Sequence, residues 1–482
     1  ISGPKTGRGS GGQRMTRVST PREVMPLSMA FHHLKEKLRS WFEQRQPAGI
    51  KEKRWERISL PLAPLDILSW LNAQDILPKI FWQARDSSFE CAAAGKACEC
   101  AGDPPQPYAA TLSAAQNLIE HLPEGARLWG GMAFDPCYQD GSWKEYGPAR
   151  FVLPRLEIAR EGQRYFLALH VSREEDNLIK ILNFLERLRC DYDLLCPDLL
   201  NSSDVLTMES SPAPDQWEGN LQRIQELISR KQIRKVVLAR KTIFKKDFSA
   251  GPFSLVQRIR AAEIPSSHYF FVFQWTSDSA FVGVSPEQLF RRLKTRLTCE
   301  ALAATARRGL NENQDRTLGS VLLNSVKERH EHQIVVEMIT RALAPLCRDI
   351  SFAPQPRLIR LNTGFHLMTP FQGTCSGFRS DHELISNLHP TAAVAGCPTE
   401  KAMRMIRDLE PFSRGWYAGP VGYWGAERTE FCVAIRSGLW QKECLTLFTG
   451  AGIVKGSVPA SEWQELDHKL ISYLKILDYE HI

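Results

Sequence analysis

MESSPAPDQWEGNLQRIQELISRKQIRKVVLARKTIF, residues 208–244, passes from a polar connection to a helix and then to a strand. Residues 208–215 are rich in Ser and Pro and carry no apolar periodicity. Trp217, Leu221, Ile224, Leu227 and Ile228 then fall on one face of a helix expected to end near Lys231. From Lys235 the character becomes that of a strand, whose alternation puts Lys235, Val237 and Ala239 on one side. The same mixture extends in both directions. Strand-like runs recur at 268–274, 280–284, 430–435 and 444–451, with helical patterns over 315–346 and 461–477 between and after them. Upstream, 79–82, 127–129, 150–156 and 165–171 read as strands of an antiparallel sheet. Strands and helices mixed without regular βαβ spacing predict the α+β class. The polar stretch divides the chain into 25–207 and 208–482. Residues 1–24, rich in Gly, Ser, Thr and Arg, are expected to be an appended tail or a disordered arm.

The 482 residues are 43% hydrophobic and 24% charged, the balance of a globular protein, and no apolar run approaches the length of a membrane-spanning helix. The net charge of +7 is concentrated at the start. Residues 1–57 carry +8, which leaves the body at −1 and without a net field for gathering nucleic acid or anionic lipid. The 12 cysteines include no CxxC pair and follow no secretory leader, so reduced thiols in a cytoplasmic compartment are expected. Cys91, Cys98 and Cys100 lack a second pair at zinc spacing.

Several residues carry chemistry. Glu328 and Glu331 are three apart on one helical pattern, and Glu462 and Glu465 three apart on another, so each pair projects from one face. If the faces oppose each other, four carboxylates converge and invite a hard divalent cation such as Mg²⁺; the plainer alternative is a helix N-terminus complement and a solvated face. Lys235, at the start of its strand beside apolar neighbours, is a candidate base or else a charge guarding a strand edge. Glu287, just beyond a strand, is a candidate acid or an ordinary turn carboxylate. Gly450 and Gly452 let backbone N–H groups approach an anion closely, and Arg436 can hold a carboxylate by two parallel hydrogen bonds.

Taken in order, these segments resemble the chorismate-utilising enzymes, the family of anthranilate, aminodeoxychorismate, isochorismate and salicylate synthases. The matching motifs are KVVLAR at 235–240, SPE at 285–287, EALAAT at 300–305, HPTAAVAG at 389–396, WYAGPVGY at 416–423, FCVAIRS at 431–437, GAGIV at 450–454 and EWQE at 462–465. Within the family, the likeness is greatest to bacterial menaquinone-pathway isochorismate synthases. The resemblance implies the fold of anthranilate synthase component I, with antiparallel sheets of two subdomains flanked by helices around a central cleft.

It also implies a reaction. Lys235 stands where anthranilate synthases have Gln, and so implies activation of water and no glutamine amidotransferase partner. Ala303 stands where aminodeoxychorismate synthases have a nucleophilic Lys, so covalent addition by that side chain is excluded. Ala393 replaces the Thr usual in salicylate synthases. The implied activity is a reversible, Mg²⁺-dependent isomerisation of chorismate to isochorismate, with Lys235 as base and Glu287 as acid. Glu331 and Glu465 are implied as direct metal ligands, with Glu328 and Glu462 acting through water. Arg436, Tyr417, Gly452, Ala303, Thr305, His389 and Lys455 are the implied substrate contacts. His389 is equally open to capping a turn. Ala304 replaces a Gly of most relatives, and Phe365 replaces the Gln that usually precedes His366. A salicylate synthase and a non-catalytic polyanion-binding protein are the remaining alternatives.

Overall fold

The computed structural model describes residues 24–44, 54–102, 108–137, 140–195, 207–245, 251–262, 268–361, 364–377 and 381–476. Apart from Val24, the expected tail or arm lies outside them. Among the described residues, twenty strands join in one hydrogen-bonded network. Ala149–Glu161 is its branch point, since one edge pairs along Phe89–Ala101 while the other is shared between Arg164–Ser172 and Leu128–Met132. One branch runs through Lys79–Gln83, Tyr269–Gln274, Ser279–Ser285, Ser437–Gln441 and Cys444–Ile453 to Lys235–Lys245. The other runs from Leu128–Met132 through Pro420–Trp424, Arg428–Val433, Gln288–Leu293 and Arg296–Ala306 to Gly364–Cys375. All these ladders are antiparallel. Strands from before residue 208 thus pair with strands from after it in both branches.

The central strands are buried on both faces, and their alternation divides them between two cores. In Tyr269–Gln274, Tyr269, Phe271 and Phe273 join an interior that also holds Trp82, Trp129 and Tyr423. Phe270 and Val272 instead face a second core with Leu34, Trp70, Leu156 and Leu470, contributed in part by the covering helices. This is why the run reads as continuously apolar.

Two expectations need correction. The stretch 315–346 is not one helix but two, Glu312–Asn324 and Val326–Leu343. Ser325 stops the first in an extended conformation (φ −67°, ψ 121°) and caps the second, its hydroxyl accepting from Glu328 N–H at 3.4 Å. The polar stretch at 208–215 is not all connection, because Thr207–Ser211 pairs with the end of Lys235–Lys245. Among the described residues, no helix is long and apolar enough to cross a membrane.

Candidate active site

Strands of both branches and two helices surround a cavity whose walls include Glu287, Glu328, Glu331, Tyr417, Arg436 and Glu465. Lys235 begins its strand fully buried, with Nζ 2.8 Å from Glu331 Oε1. Two glycines make that placement possible. A Cβ on Gly396, at φ 137°, would lie 2.2 Å from the Lys235 carbonyl, and one on Gly452 would lie 2.3 Å from Glu331 Oε1 and 3.1 Å from Lys235 Cε. In the cavity wall, Arg414 donates to the Val237 and Val394 carbonyls at 2.8 Å and pairs with Glu410, which accepts the Ala239 N–H at 2.7 Å. The Lys235 strand is thereby fixed on a satisfied polar network.

Glu287 sits in the turn between Ser279–Ser285 and Gln288–Leu293, only 4% exposed. Its carboxyl is pushed up to about 8, first by burial and then by the Glu300 carboxylate, with Lys235 opposing. It therefore carries a proton at neutral pH.

Arg436 adopts a left-handed φ of 49°. Its guanidinium donates to His268 Nε2 at 3.3 Å and to His366 Nε2 at 3.1 Å. Burial, then Arg436, Lys469 and His268, hold His366 well below the usual histidine range. A neutral ring that accepts at Nε2 has its proton on Nδ1, which lies 3.3 Å from Thr305 Oγ1. Thr305 reaches this place because the ladder slips between Ala303 and Thr305, leaving Ala304 as the extra residue at φ 63°. Phe365, next to His366, points to the opposite side into a small core with Leu322 and Leu367, under Arg308 and Arg360. Tyr417 stacks on Phe448 at 5.1 Å, and burial raises its phenol so that it stays neutral.

The four paired carboxylates come from Val326–Leu343 and Pro459–Ile476. Glu328 is pushed up to about 7 by burial and then by Glu331, Lys327 opposing and Glu465 and Glu462 adding to the rise. Glu462 is also raised, by burial and then Glu465. Lys327 Nζ lies 2.8 Å from Glu462 Oε1 and 3.5 Å from Glu328 Oε1, and Lys469 Nζ lies 2.7 Å from Glu465 Oε1. Among the described residues, no three His, Cys, Asp or Glu side chains stand together at metal-ligand spacing. The donors are nonetheless all oxygen and mutually repelling, which is the chemistry that suits Mg²⁺.

Of the residues singled out in the sequence, Glu287, Glu328, Glu331, Glu465, Tyr417, Arg436, Gly452, Ala303 and Thr305 line the cavity, as does Ala393. Lys235 stands against Glu331, and Glu462 against Lys327. His389 and Lys455 are not brought there. His389 is buried, with Nε2 3.2 Å from the Phe134 carbonyl and its ring against Phe134 and Tyr108, and burial lowers it to about 4. Lys455 is exposed in the turn after Cys444–Ile453. The sequence reading did not single out Lys469, although its spacing of four from Glu465 on one helix is a visible signal. His268, just before Tyr269–Gln274, and His366, within Gly364–Cys375, come from distant parts of the chain and leave no such signal.

A family model described as "Chorismate binding enzyme" matches residues 42–478. The chain is 35% identical over 372 residues to isochorismate synthase MenF of Bacillus subtilis (strain 168), covering 76% of this chain and 77% of that protein. It is 32% identical over 465 residues to the salicylate biosynthesis isochorismate synthase of Pseudomonas aeruginosa, covering 93% and 94%. The solved structure of MenF, the menaquinone-specific isochorismate synthase from Escherichia coli, superposes with a TM-score of 0.81 at 30% identity, over 94% of this chain and 99% of that one. Anthranilate synthase component I from Streptococcus pneumoniae shares the fold, with a TM-score of 0.67 at 20% identity over 83% of this chain and 94% of that one.

Proposed function

Because the chain belongs to the chorismate-binding enzymes, we propose that it is a Mg²⁺-dependent isochorismate synthase. The reaction is an isomerisation in which water adds at ring carbon 2 as the hydroxyl on carbon 4 departs. One water enters and one leaves. Lys235 takes a proton from the attacking water, and Glu287 gives its proton to the departing hydroxyl. The observation that carries this reading is Glu287, a carboxyl holding its proton at neutral pH in the wall of a cavity whose lining residue Glu331 is in contact with Lys235. Named relatives that are isochorismate synthases support the same reaction.

Glu331 and Glu465 would hold the metal directly, with Glu328 and Glu462 acting through water. When bound, the ion supplies positive charge against the ring carboxylate and relieves the repulsion among the four glutamates. Arg436, Tyr417, Thr305 and the Gly452 backbone would orient the enolpyruvyl side of the substrate. Two separated anchors for a dianion fix the ring in reacting orientation. We place the product in the menaquinone branch, following the E. coli relative. The described cysteines are free thiols, in keeping with a cytoplasmic enzyme.

The test is chromatography of the products formed from chorismate, with and without Mg²⁺. Isochorismate alone is expected, dependent on the metal and reduced by a factor of about 10³ or more in Lys235→Ala. Salicylate with equimolar pyruvate would move the protein to the lyase branch, and no conversion at all would leave a binding function.

A further inference from the structure

Glu287 is presented by a turn whose backbone polar groups have specific partners. Its N–H donates to Ser285 Oγ at 3.2 Å, and that hydroxyl donates to the Val433 carbonyl at 2.6 Å. Val433 N–H donates back to the Glu287 carbonyl at 3.1 Å. The remaining partners come from outside the turn and its neighbouring strand. Gln288 N–H donates to Glu300 Oε1 at 3.0 Å, and Arg85 Nη1 donates to the Pro286 carbonyl at 3.0 Å. Arg85 also grips Glu300 with both arms of its fork, Nη1 to Oε1 at 2.5 Å and Nη2 to Oε2 at 3.0 Å. It lies over the Tyr269 ring, whose hydroxyl donates to Gln288 Oε1 at 3.2 Å. Arg85 follows Lys79–Gln83 in the first half of the chain, and Glu300 lies on Arg296–Ala306 in the second. Neither lines the cavity.

We propose that Arg85 and Glu300 are the positioning pair of the acid: Arg85 binds the Pro286 carbonyl on one side of Glu287, Glu300 binds the Gln288 N–H on the other, and their ion pair sets the Glu300 carboxylate behind the Glu287 turn. The inference rests on the reading of Glu287 as the proton donor. The charged and titratable groups around Glu287 sort by element. Glu300 approaches from Arg296–Ala306 and raises it; Lys235 approaches from Lys235–Lys245 and lowers it. Tyr417 and Cys432 also feel its charge and are both raised, hence neutral. Arg85 lies beyond Glu300, where its fork satisfies that carboxylate. An unpaired carboxylate there would be costly to bury. One ion pair thus serves geometry and proton retention together.

Glu300→Gln keeps an oxygen acceptor for Gln288 N–H and Arg85 but removes the charge. Glu287 must be protonated to act, so activity falls as pH rises through its pKa; without the like charge that fall comes earlier. The basic limb of kcat is expected to move down by about one pH unit. Arg85→Lys keeps the positive charge but loses the planar fork. It is expected to lower kcat at least tenfold with KM little changed and the limb in place. Infrared titration of the unliganded protein, with the Glu287 band identified by its loss in Glu287→Gln, reads the proton directly and without turnover. An unmoved Glu287 band and limb in Glu300→Gln would overturn the electrostatic half of the proposal. Unchanged kcat in Arg85→Lys would overturn the positional half. Failure of the parent protein to convert chorismate would instead count against the proposed function, while the infrared comparison still decides whether Glu300 controls the Glu287 proton.

Discussion

A carboxyl held at about 8 inside the fold takes up a proton on folding wherever the pH lies between its ordinary value of 4.5 and that point. Stability therefore falls as pH rises through this window. Glu287→Gln removes the effect. Its unfolding free energy is expected to match that of the parent near pH 4 and to exceed it increasingly toward pH 8, by on the order of 3 kcal/mol at pH 7, as read by denaturant titration. A parallel pH dependence of the two proteins would contradict this. Gly452→Ala brings the opposite trade. Its methyl would displace the Glu331 carboxylate from its place beside Lys235. Carboxylate ends can swing aside, so a loss of kcat of tenfold or more is expected with little change in thermal stability. Ala304 already carries its methyl at φ 63°, where glycine is favoured, so Ala304→Gly is expected to stabilise by up to about 1 kcal/mol in the same denaturant assay. The sequence exposes residues of this kind when a motif surrounds them. It does not expose Arg85, whose partners Pro286 and Glu300 lie far along the chain and share no spacing with it.

At the scale of elements, the helical break at Ser325 shows where periodicity ceases to be enough. The apolar pattern passes through 315–346 with little interruption, yet the Ser325 cap redirects the axis, and it is the second helix that carries Glu328 and Glu331 to the cavity. A serine inside an apolar pattern reads equally as a tolerated polar residue or as a cap, and only the backbone angle decides. Ser325→Ala is expected to cost about 1 kcal/mol by denaturant titration, with kcat falling more than this stability loss would cause because the carboxylates shift with the helix start. Strands were more legible, because runs such as Tyr269–Gln274 are apolar on both faces and bounded by turns. Alternation also explains the departure at 365. Phe365 and His366 face opposite sides of one strand, so the apolar residue packs while the histidine holds Arg436. His389 had the same motif support as the residues at the cavity, but its position is set by a turn that directs it toward the Phe134 carbonyl.

At the scale of the molecule, the two halves of the chain are joined through shared strands rather than merely connected. Lys79–Gln83 pairs with Tyr269–Gln274, Leu128–Met132 pairs with Pro420–Trp424, and Arg85 reaches across to the Glu287 turn. Removing either half would expose long strand edges and open the interior core, so neither half retains a closed sheet on its own. A fully buried ion pair reinforces the second branch. Arg292 binds Asp381 through two bonds of 2.7 and 2.8 Å and also donates to the Gly425 carbonyl, linking Gln288–Leu293 to the helix Asp381–Leu388. Arg292→Ala leaves a buried carboxylate without its main partner, at an expected cost of about 3–5 kcal/mol. Because the branches share strands, calorimetry is expected to show one unfolding transition in the parent and one, displaced to lower temperature, in the variant. If the second branch were instead an independent unit, the variant would show two transitions, with the upper one unmoved. The same shared sheet connects stability to the site, since its strands and their connections also place Thr305 and Arg436 in the wall of one cavity and Lys235 against Glu331 of that wall.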